Sequence, residues 1–523
     1  MREKTFNPLK IIRVSLAVIL FVPVLALFLD FVDVLPYWLC KLLHLQILPA
    51  VFGGFGVLLV VYFLLTLLFG RVYCSVICPA GVLQDLFNRL SCTGKKKKNG
   101  AMRFRYHQPA NVLRYSILGV TVLFAVFGFT ELCLFLDPYS NFGRITTHLF
   151  RPVVMWVNNV LSGFLSSQGN YSLYFVSIDL SVAAFVSAIT AFIVFAVMVY
   201  FRGRLFCNTI CPVGALLSVI SRYSLFRVTV DPKACNECKS CERACKAEAI
   251  DSQRQQADMS SCVTCFNCIS SCNKKAIKYR FAPQAFFQKK VKPVFPKEAE
   301  PKPAESFSGS RRSFIATSAT IASATPLLAL AQKKGVANGK APVTPPGSTG
   351  LERFKKYCTG CHLCVVQCPS RVLKPAGLQY GLDYMLKPYM SYENSYCNYT
   401  CTVCSEICPT HALQPLTVDQ KKTTQTGIAR FYMGRCVVRT EGNDCGACSE
   451  HCPTQAVHMV PYRGTLTIPQ VEPDLCIGCG GCESICPVTP VRAIVVIPNT
   501  IHQTATLPSE ENVRKIEVDD FGF

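Results

Sequence analysis

Charged residues are scarce in this chain, and histidine and tryptophan are scarcer still. Only 16% of the 523 residues are Asp, Glu, Lys or Arg, half are hydrophobic, and the formal net charge is +22. So little charge in so apolar a sequence is typical of a membrane protein and argues against a purely soluble one. The positive charge does not indicate nucleic-acid binding, because no nucleic-acid module is recognisable and the basic residues cluster beside apolar stretches.

Four apolar stretches approach the ~20 residues that a helix needs to cross a bilayer. They occupy residues 11–30, 48–69, 113–136 and 178–201. None contains a histidine, which argues against a haem held by two histidines in the membrane, and no flavin motif is present. Basic residues gather at one set of span ends, and acidic and aromatic residues gather at the other. The positive-inside rule therefore predicts a four-span α-helical bundle over residues 1–230, with its N-terminus and basic loops in the cytoplasm.

Two matching sequences end the second and fourth spans. GRVYCSVICPAG begins at residue 70 and GRLFCNTICPVG at residue 203, so the membrane part contains an internal repeat of two helical hairpins. Facing hairpins would bring four thiolates to one metal or cluster site, from Cys74, Cys78, Cys207 and Cys211. The alternatives are small buried hydrophobic residues or a reducible pair, because C-x3-C lacks the third nearby cysteine of a typical cluster run.

Cysteine, with 31 residues, dominates the rest of the sequence. A disulfide scaffold is one explanation, but the C-x2-C-x2-C-x3-C runs have the spacing that binds [4Fe–4S] clusters. Residues 231–281 contain two interlocking runs, which favour clusters over zinc and predict a cytoplasmic, two-cluster ferredoxin module of α+β fold. The last cysteine of each run serves the other cluster in this pattern. The expected sets are Cys235, Cys238, Cys241 and Cys272, and Cys262, Cys265, Cys268 and Cys245.

Residues 351–500 contain four more runs, each ending in Cys-Pro, and predict a four-cluster ferredoxin module. We expect nested pairing, in which the first run exchanges its last cysteine with the fourth and the second with the third; sequential pairing is the alternative. The predicted ligands are Cys358, Cys361, Cys364, Cys368, Cys397, Cys401, Cys404, Cys408, Cys436, Cys445, Cys448, Cys452, Cys476, Cys479, Cys482 and Cys486.

The segment between the two modules contains an export signal in an unusual place. Residues 282–309 are rich in proline and lysine and predict an extended linker, and residues 333–350 predict a flexible tether. Between them, SRRSFIATSATIASATPLLALAQ at 310–332 has the features of a twin-arginine signal and nearly the length of a fifth crossing. Iron–sulfur clusters are assembled in the cytoplasm, so a module that carries them must be exported folded. The twin-arginine signal therefore predicts a periplasmic second module. Residues 501–523 are predicted as a C-terminal tail. Cleavage after Ala331 and retention of the segment are both open.

These motifs resemble two subunits of a known electron-transfer family. Residues 1–281 resemble the NapH-type membrane ferredoxin of periplasmic nitrate reductase systems, and residues 310–500 resemble the NapG-type periplasmic ferredoxin. The resemblance implies a fused quinol dehydrogenase component of the bacterial inner membrane, in contact with membrane lipid. It would carry six [4Fe–4S] clusters, draw electrons from the quinone pool and pass them to a periplasmic reductase or small electron carrier. The alternatives are an assembly or maturation factor that reduces a metal or thiol for another enzyme, and a relay with every cluster in the cytoplasm.

Quinol oxidation releases two protons, and ionisable groups near the outer face are candidate acceptors. Glu131 lies within the third predicted span near its outer end, and Asp137 follows that span. His44 and His148 lie nearby and are further candidates. Asp137 has a simpler alternative role, which is to cap the helix that begins in the sequence DPYSNFGR.

Overall fold

The computed structural model describes residues 7–32, 34–93, 104–282 and 341–507. The predicted linker after residue 282, the twin-arginine segment, the first part of the predicted tether and the tail after residue 507 lie outside the described residues.

The N-terminal part of the described chain is helical throughout. Its α-helices are Pro8–Leu29, Ile47–Phe52, Gly56–Phe69, Tyr73–Val76, Pro79–Thr93, Asn111–Val126, Glu131–Leu136, Pro138–Ile145, Arg151–Ser167, Val182–Arg202, Leu205–Thr209 and Pro212–Ser221. A 3₁₀ helix at Tyr37–Leu45 and a π-helical turn at Thr146–Phe150 complete this part. Two helices, Pro8–Leu29 and Val182–Arg202, are long and apolar enough to cross a membrane by length and composition.

The second and third predicted spans are not continuous helices. Residues 48–69 divide between two helices at a turn that contains Gly54 with φ of 75°, and residues 113–136 divide at a turn that contains Gly128 with φ of 85°. Glycine adopts this left-handed conformation at little cost, and it commonly ends a helix. The prediction of unbroken helices in these two stretches was therefore wrong.

A short helix lies between the two long ones and helps to form the centre of the bundle. All eight residues of Pro138–Ile145 are buried. Phe142 packs edge to face on Phe21 and Phe28 of the first long helix, with ring centroids 5.7 and 5.9 Å apart. The buried aromatic contacts join this helix to Pro8–Leu29 and make the centre of the bundle an apolar core.

The two ferredoxin modules contact opposite ends of the two long helices. Near the start of Pro8–Leu29, Arg13 binds Asp85, which also binds Lys246 of the first module. Near its end, Leu27 O accepts a hydrogen bond of 2.9 Å from Gln367 of the second module. The other long helix runs the opposite way: Ser181, just before it, contacts the second module, and Arg202 at its end pairs with Glu248 of the first. The helical bundle thus separates the two modules.

Both modules consist of short helices and two-stranded antiparallel sheets. In the first, Phe226–Val230 pairs with Ile277–Phe281 and Ile250–Asp251 with Gln256–Ala257, beside helices Ser240–Ala244 and Asn267–Ser271. In the second, the strand pairs are Leu373–Pro375 with Pro388–Met390, Thr424–Phe431 with Ile494–Thr504, and Val457–Arg463 with Leu466–Val471. Its α-helices are Leu351–Tyr357, Leu363–Val366, Val403–Glu406, Val418–Thr423, Val437–Thr440, Ala447–Glu450 and Gly481–Ile485, with 3₁₀ turns at Leu382–Tyr384 and Met433–Arg435.

The second module is larger at both ends than the sequence predicts. Its last strand continues past residue 500 to Thr504. Residues 341–350, predicted as part of a flexible tether, are mostly buried, and Val343 O accepts a hydrogen bond of 2.9 Å from Met390 N. Thr344 and Ser348 also contact His502 on the last strand. These residues belong to the packed module, because their hydrogen bonds to its strands hold them against it.

Candidate functional site

The two C-x3-C-P repeats meet at the end of the bundle that contacts the first ferredoxin module. Their arginines cross between the repeats: Arg71 Nη2 donates to Cys207 O at 3.0 Å, and Arg204 Nη1 donates to Cys74 O at 2.6 Å. This reciprocal exchange relates the repeats by an approximate two-fold axis. It explains why Gly-Arg precedes the cysteine pair in both repeats.

Each repeat also has a glycine two residues after the proline of its Cys-Pro pair. This glycine leaves room for the arginine side chain of the other repeat. A Cβ added to Gly81 would lie 2.3 Å from Cys74 O, and one added to Gly214 would lie 2.2 Å from Cys207 O. Both positions also face the arginine that arrives from the other repeat. The spacing that the two repeats share is therefore a packing requirement of a single site that both repeats form.

The four cysteines of the repeats converge inside this site. Cys74, Cys78, Cys207 and Cys211 are each only 4% exposed, and their thiols are close enough to interact electrostatically. Cys211 caps the helix Pro212–Ser221, and its Sγ accepts a hydrogen bond of 3.3 Å from Gly214 N. Backbone N–H groups at a helix start favour a negatively charged sulfur.

Buried positive charge surrounds the four thiols. Arg71 is fully buried, and its hydrogen-bond partners in the described residues are oxygen atoms of Asn208, Ser260 and Cys207 and the Cys74 sulfur, none of them a carboxylate. Arg13, Arg204 and Lys246 share one carboxylate, that of Asp85. Burying cations without matching anions is costly, so four thiolates that bind a cluster fit this environment better than four neutral thiols.

No group of three or more possible ligands in the described residues is close enough to hold a single metal ion. A polynuclear iron–sulfur cluster differs, because its thiolates lie around the cluster and bind different iron atoms. Buried sulfur donors are the ligand type that such clusters require. The four-cysteine site therefore fits an iron–sulfur cluster in the chemistry of its donors and in the charge around them.

Asp85 is the electrostatic centre of this end of the molecule. Burial raises its pKa, but Arg204, Lys246 and Arg13 together hold that pKa well below its usual value. In the sequence, Lys246 replaces the proline that usually follows the last cysteine of a ferredoxin run. The contacts of this lysine give a reason for the replacement. Its side chain binds Asp85 and its carbonyl accepts a 2.9 Å hydrogen bond from Arg204 N. A proline could not make the side-chain contact, so lysine joins the ferredoxin module to the four-cysteine site.

The first ferredoxin module groups its cysteines into the two sets expected from the sequence. One set lines a small cavity, with Cys235, Cys238, Cys241 and Cys272 around it. The thiols of the other set, Cys245, Cys262, Cys265 and Cys268, are mutual neighbours. Burial raises the pKa of Cys245 to about 12, so that its thiol would stay protonated at neutral pH unless a metal bound it.

The second module pairs its runs sequentially, so the prediction of nested pairing was wrong. Neighbouring thiols form four sets, each with three cysteines of one run and the last cysteine of the adjacent run. The sets are Cys358, Cys361, Cys364 and Cys408; Cys397, Cys401, Cys404 and Cys368; Cys436, Cys445, Cys448 and Cys486; and Cys476, Cys479, Cys482 and Cys452. The helices of consecutive runs pack on each other, as in the first module. Sequential pairing closes a shorter loop, which costs less entropy.

Replacing Cys486 with alanine distinguishes sequential pairing from nested pairing of the four cysteine runs. We expect Cys436, Cys445 and Cys448 to lose their cluster and become available to a thiol-alkylating reagent, because Cys486 completes their set. Mass spectrometry of the alkylated full-length protein would identify the exposed thiols. Nested pairing would instead expose Cys358, Cys361 and Cys364, and Cys408→Ala serves as the control that is expected to expose those three.

Comparisons with known proteins agree with this cysteine chemistry. A family model described as a 4Fe-4S binding domain matches residues 50–99 and 184–230, which contain both C-x3-C-P repeats. A model described as a 4Fe-4S dicluster domain matches residues 443–489, which contain most of the third and fourth runs of the second module. The methylamine utilization ferredoxin-type protein MauM of Methylobacillus flagellatus is 32% identical over 163 residues, which are 30% of this chain and 68% of MauM. The chain belongs to the 4Fe-4S ferredoxin-type proteins.

Other ferredoxin-type relatives match different shares of the chain. The ferredoxin-type protein NapF of Escherichia coli K12 is 25% identical over 168 residues, which are 31% of this chain and 94% of NapF. An uncharacterised protein of Methanocaldococcus jannaschii is 28% identical over 262 residues, which are 49% of this chain and 92% of that protein. No solved structure matches the chain. This chain is therefore an iron–sulfur electron-transfer protein of the ferredoxin type.

The acids predicted as proton acceptors both make contacts that stabilise the fold. Asp137 is buried and caps the helix Pro138–Ile145 by accepting hydrogen bonds of 2.7 Å from Ser140 N and Oγ. Glu131 lies 3.5 Å from Nζ of Lys387, a fully buried residue of the second module. Their part in proton transfer stays a prediction.

His44 and His148, the two further candidate proton acceptors, each contact a different histidine of the second module. The ring of His44 packs edge to face on His411, with centroids 5.8 Å apart. His148 is hydrogen bonded to His362, which lies between two cysteines of the first run. Sequence reasoning could not find His362, because nothing in its run distinguishes it from a packing residue.

Proposed function

We propose that this ferredoxin-type protein is a membrane-bound quinol dehydrogenase component that passes electrons to a periplasmic reductase or small electron carrier. The observation that carries the proposal is the position of two cluster-binding modules at opposite ends of two long apolar helices. A helix of 22 residues is roughly 33 Å long, and the hydrocarbon core of a bilayer is about 30 Å thick. This arrangement favours modules on opposite faces of a membrane over a relay with every cluster in the cytoplasm.

The direction of insertion follows from charge and from the twin-arginine segment. Basic residues cluster at the end that contacts the first module, which the positive-inside rule assigns to the cytoplasm. The second module then lies in the periplasm of a bacterial inner membrane, and the segment 310–332 supplies both the export signal and a crossing. A fused NapH-type and NapG-type pair has this organisation.

The four-cysteine site supplies a connection between the modules that the sequence alone did not offer. On one side it adjoins the first module through Arg71 and Lys246. On the other, Tyr73 lies within electrostatic range of both Cys78 and the buried Asp137, and Tyr139 lies beside Cys361 of the second module. Tyr73 and Tyr139 are both buried in the same apolar core. We therefore propose a seventh cluster at the four-cysteine site, beyond the six expected from the ferredoxin runs.

Iron–sulfur clusters carry single electrons at potentials that their surroundings tune, so they can take the two electrons of a quinol in separate steps. The chain holds the clusters, excludes water through the buried core and orders the donor and acceptor sites.

Right-side-out and inverted membrane vesicles that contain the full-length protein test both the donor and the direction. Menadiol should drive reduction of a membrane-impermeant one-electron acceptor in right-side-out vesicles, where the second module faces outward. Activity confined to inverted vesicles would contradict the topology. Absence of quinol-dependent activity in both would contradict quinol oxidation and favour an assembly or maturation role.

A further inference from the structure

A cavity opens where the second ferredoxin module meets the helical bundle. It has a volume of about 190 Å³. Its walls come from the turn before helix Arg151–Ser167, from the segment before helix Val182–Arg202, and from the second module. A cavity of about 150 Å³ admits a benzene ring, so this larger cavity, which is open on one side, has room for the hydroxyl-bearing ring of a quinol.

One wall of the cavity belongs to a cluster-binding run. Val365 lines it and directly follows Cys364, one of the four cysteines of the first set in the second module. Leu373 and Pro375 of the same module continue this wall. A molecule in the cavity would therefore lie beside the first cysteine set of the second module.

The hydrogen bond between two buried histidines, His148 and His362, determines which ring nitrogen of His148 can accept a hydrogen bond at the cavity. His362 Nε2 lies 2.8 Å from Leu386 O, and because a carbonyl only accepts, this nitrogen carries the hydrogen. A neutral His362 then accepts at Nδ1, where His148 Nε2 lies at 2.7 Å and must donate. In a neutral His148 the other nitrogen, Nδ1, is left as an acceptor. No described residue forms a hydrogen bond with Nδ1, and His148 lines the cavity.

A second polar group at the cavity also lacks a protein partner. The hydroxyl of Thr147 is buried, and no described residue forms a hydrogen bond with it. Thr147 lines the cavity next to His148. Buried polar groups are normally hydrogen bonded, so this hydroxyl is a second unsatisfied polar atom in the wall beside His148.

The surroundings of the cavity suit a ligand that is polar at one end and apolar at the other. Trp156, Phe175 and Val182 lie on the neighbouring segments and are 60%, 76% and 76% exposed. Val182 begins one of the two helices that are long and apolar enough to cross a membrane, and exposed apolar side chains on such a helix face lipid. Three basic side chains line the cavity, and each has a protein partner: Arg151 donates to Val366 O, Arg371 donates to Ser177 O, and Lys374 pairs with Glu393.

We propose that this cavity binds the quinol ring, with His148 Nδ1 accepting the hydrogen bond of one ring hydroxyl and the apolar tail lying along the lipid-facing surface. The inference rests on the proposed quinol oxidation and adds its location. On oxidation to the quinone, the ring loses two electrons and two protons. A cluster on the adjacent cysteine set would take the two electrons one at a time, each passing on to the neighbouring set of Cys397, Cys401, Cys404 and Cys368 and then to the external acceptor. His148 takes the first proton at Nδ1, and the second proton leaves to solvent at the cavity mouth.

The variant His148→Gln tests the site in the full-length protein in lipid nanodiscs. A glutamine amide can still donate to His362 but offers no imidazole Nδ1 acceptor. We expect menadiol-dependent reduction of the clusters to slow by about 10²-fold or more, in line with the loss of a positioned proton acceptor. Met155→Trp, which narrows the cavity from another part of its wall and leaves both histidines in the sequence, should cause a comparable loss. Dithionite should reduce the clusters of both variants as it reduces those of the native protein.

A control variant and a labelling experiment distinguish a failure of the proposed quinol site from a failure of the proposed quinol oxidation. His502→Gln alters another hydrogen-bonded histidine of the second module and should leave the menadiol rate within twofold of the native rate. A photoreactive quinone analogue should label cavity residues in the native protein and not in Met155→Trp. Native-like rates in His148→Gln and Met155→Trp, or labelling elsewhere, would overturn the site while quinol oxidation stands. A native protein that menadiol does not reduce, but that the analogue labels in the cavity, would overturn the function instead.

Discussion

Replacing Asp85 with asparagine is expected to destabilise the protein by about 3–5 kcal/mol, the usual cost of removing one partner from a buried ion pair. Asp85 is the only described carboxylate that binds Arg13, Arg204 and Lys246, so its loss would leave these cations unpaired near the core. The same substitution should loosen the first ferredoxin module from the bundle, since Lys246 belongs to that module. Urea denaturation of the purified protein in detergent measures the free energy of unfolding.

Asp419→Asn is the matched control for this prediction. Asp419 also pairs with a lysine, Lys422 at 3.5 Å, but its side chain is 92% exposed. Surface pairs of this kind contribute about 1 kcal/mol or less. Equal, small effects of the two substitutions would contradict the central role of Asp85.

The double variant Cys74→Ala with Cys207→Ala should remove one cluster and leave the other six. Each repeat loses one of its two cysteines, so two thiolates remain where a cluster needs four ligands. Iron per chain should fall by about four atoms if the site holds a cube. We also expect menadiol to stop reducing the clusters of residues 231–281, because the four-cysteine site is the connection we propose between the modules.

Cys40→Ala is the control for the double variant, since Cys40 is buried and belongs to none of the cysteine sets described. It should leave the iron content unchanged. An unchanged iron content in the double variant as well would mean that the four thiols are packing residues. Thiol alkylation of Cys78 and Cys211 in the double variant provides a second readout that does not depend on activity.

Local sequence spacing predicted the chemistry of the ligands well, because a cluster run is a local feature of the chain. The runs of residues 231–281 have the grouping that their spacing suggests, and the repeated Gly-Arg motif marked the two halves of the four-cysteine site. The pairing of the four later runs was not predictable from spacing. It depends on which short helices pack together, and every run ends in the same Cys-Pro.

The features that join distant parts of the chain could not be predicted from the sequence. His148 and His362 are 214 residues apart, and neither lies in a motif that indicates the other. The crossing of Arg71 and Arg204 between repeats requires the relative position of two hairpins. The breaks at Gly54 and Gly128 were missed for a different reason: hydropathy averages over a window and does not detect one left-handed residue.

Quinol is expected to reduce the clusters of the second ferredoxin module, and cluster spectroscopy tests this expectation most directly. Menadiol is added anaerobically to the purified full-length protein in nanodiscs, and the clusters are followed by electron paramagnetic resonance and visible absorbance. We expect signals of reduced clusters from residues 351–504, at a rate that falls in His148→Gln. Clusters that stay oxidised with menadiol but become reduced with dithionite would contradict the proposed function.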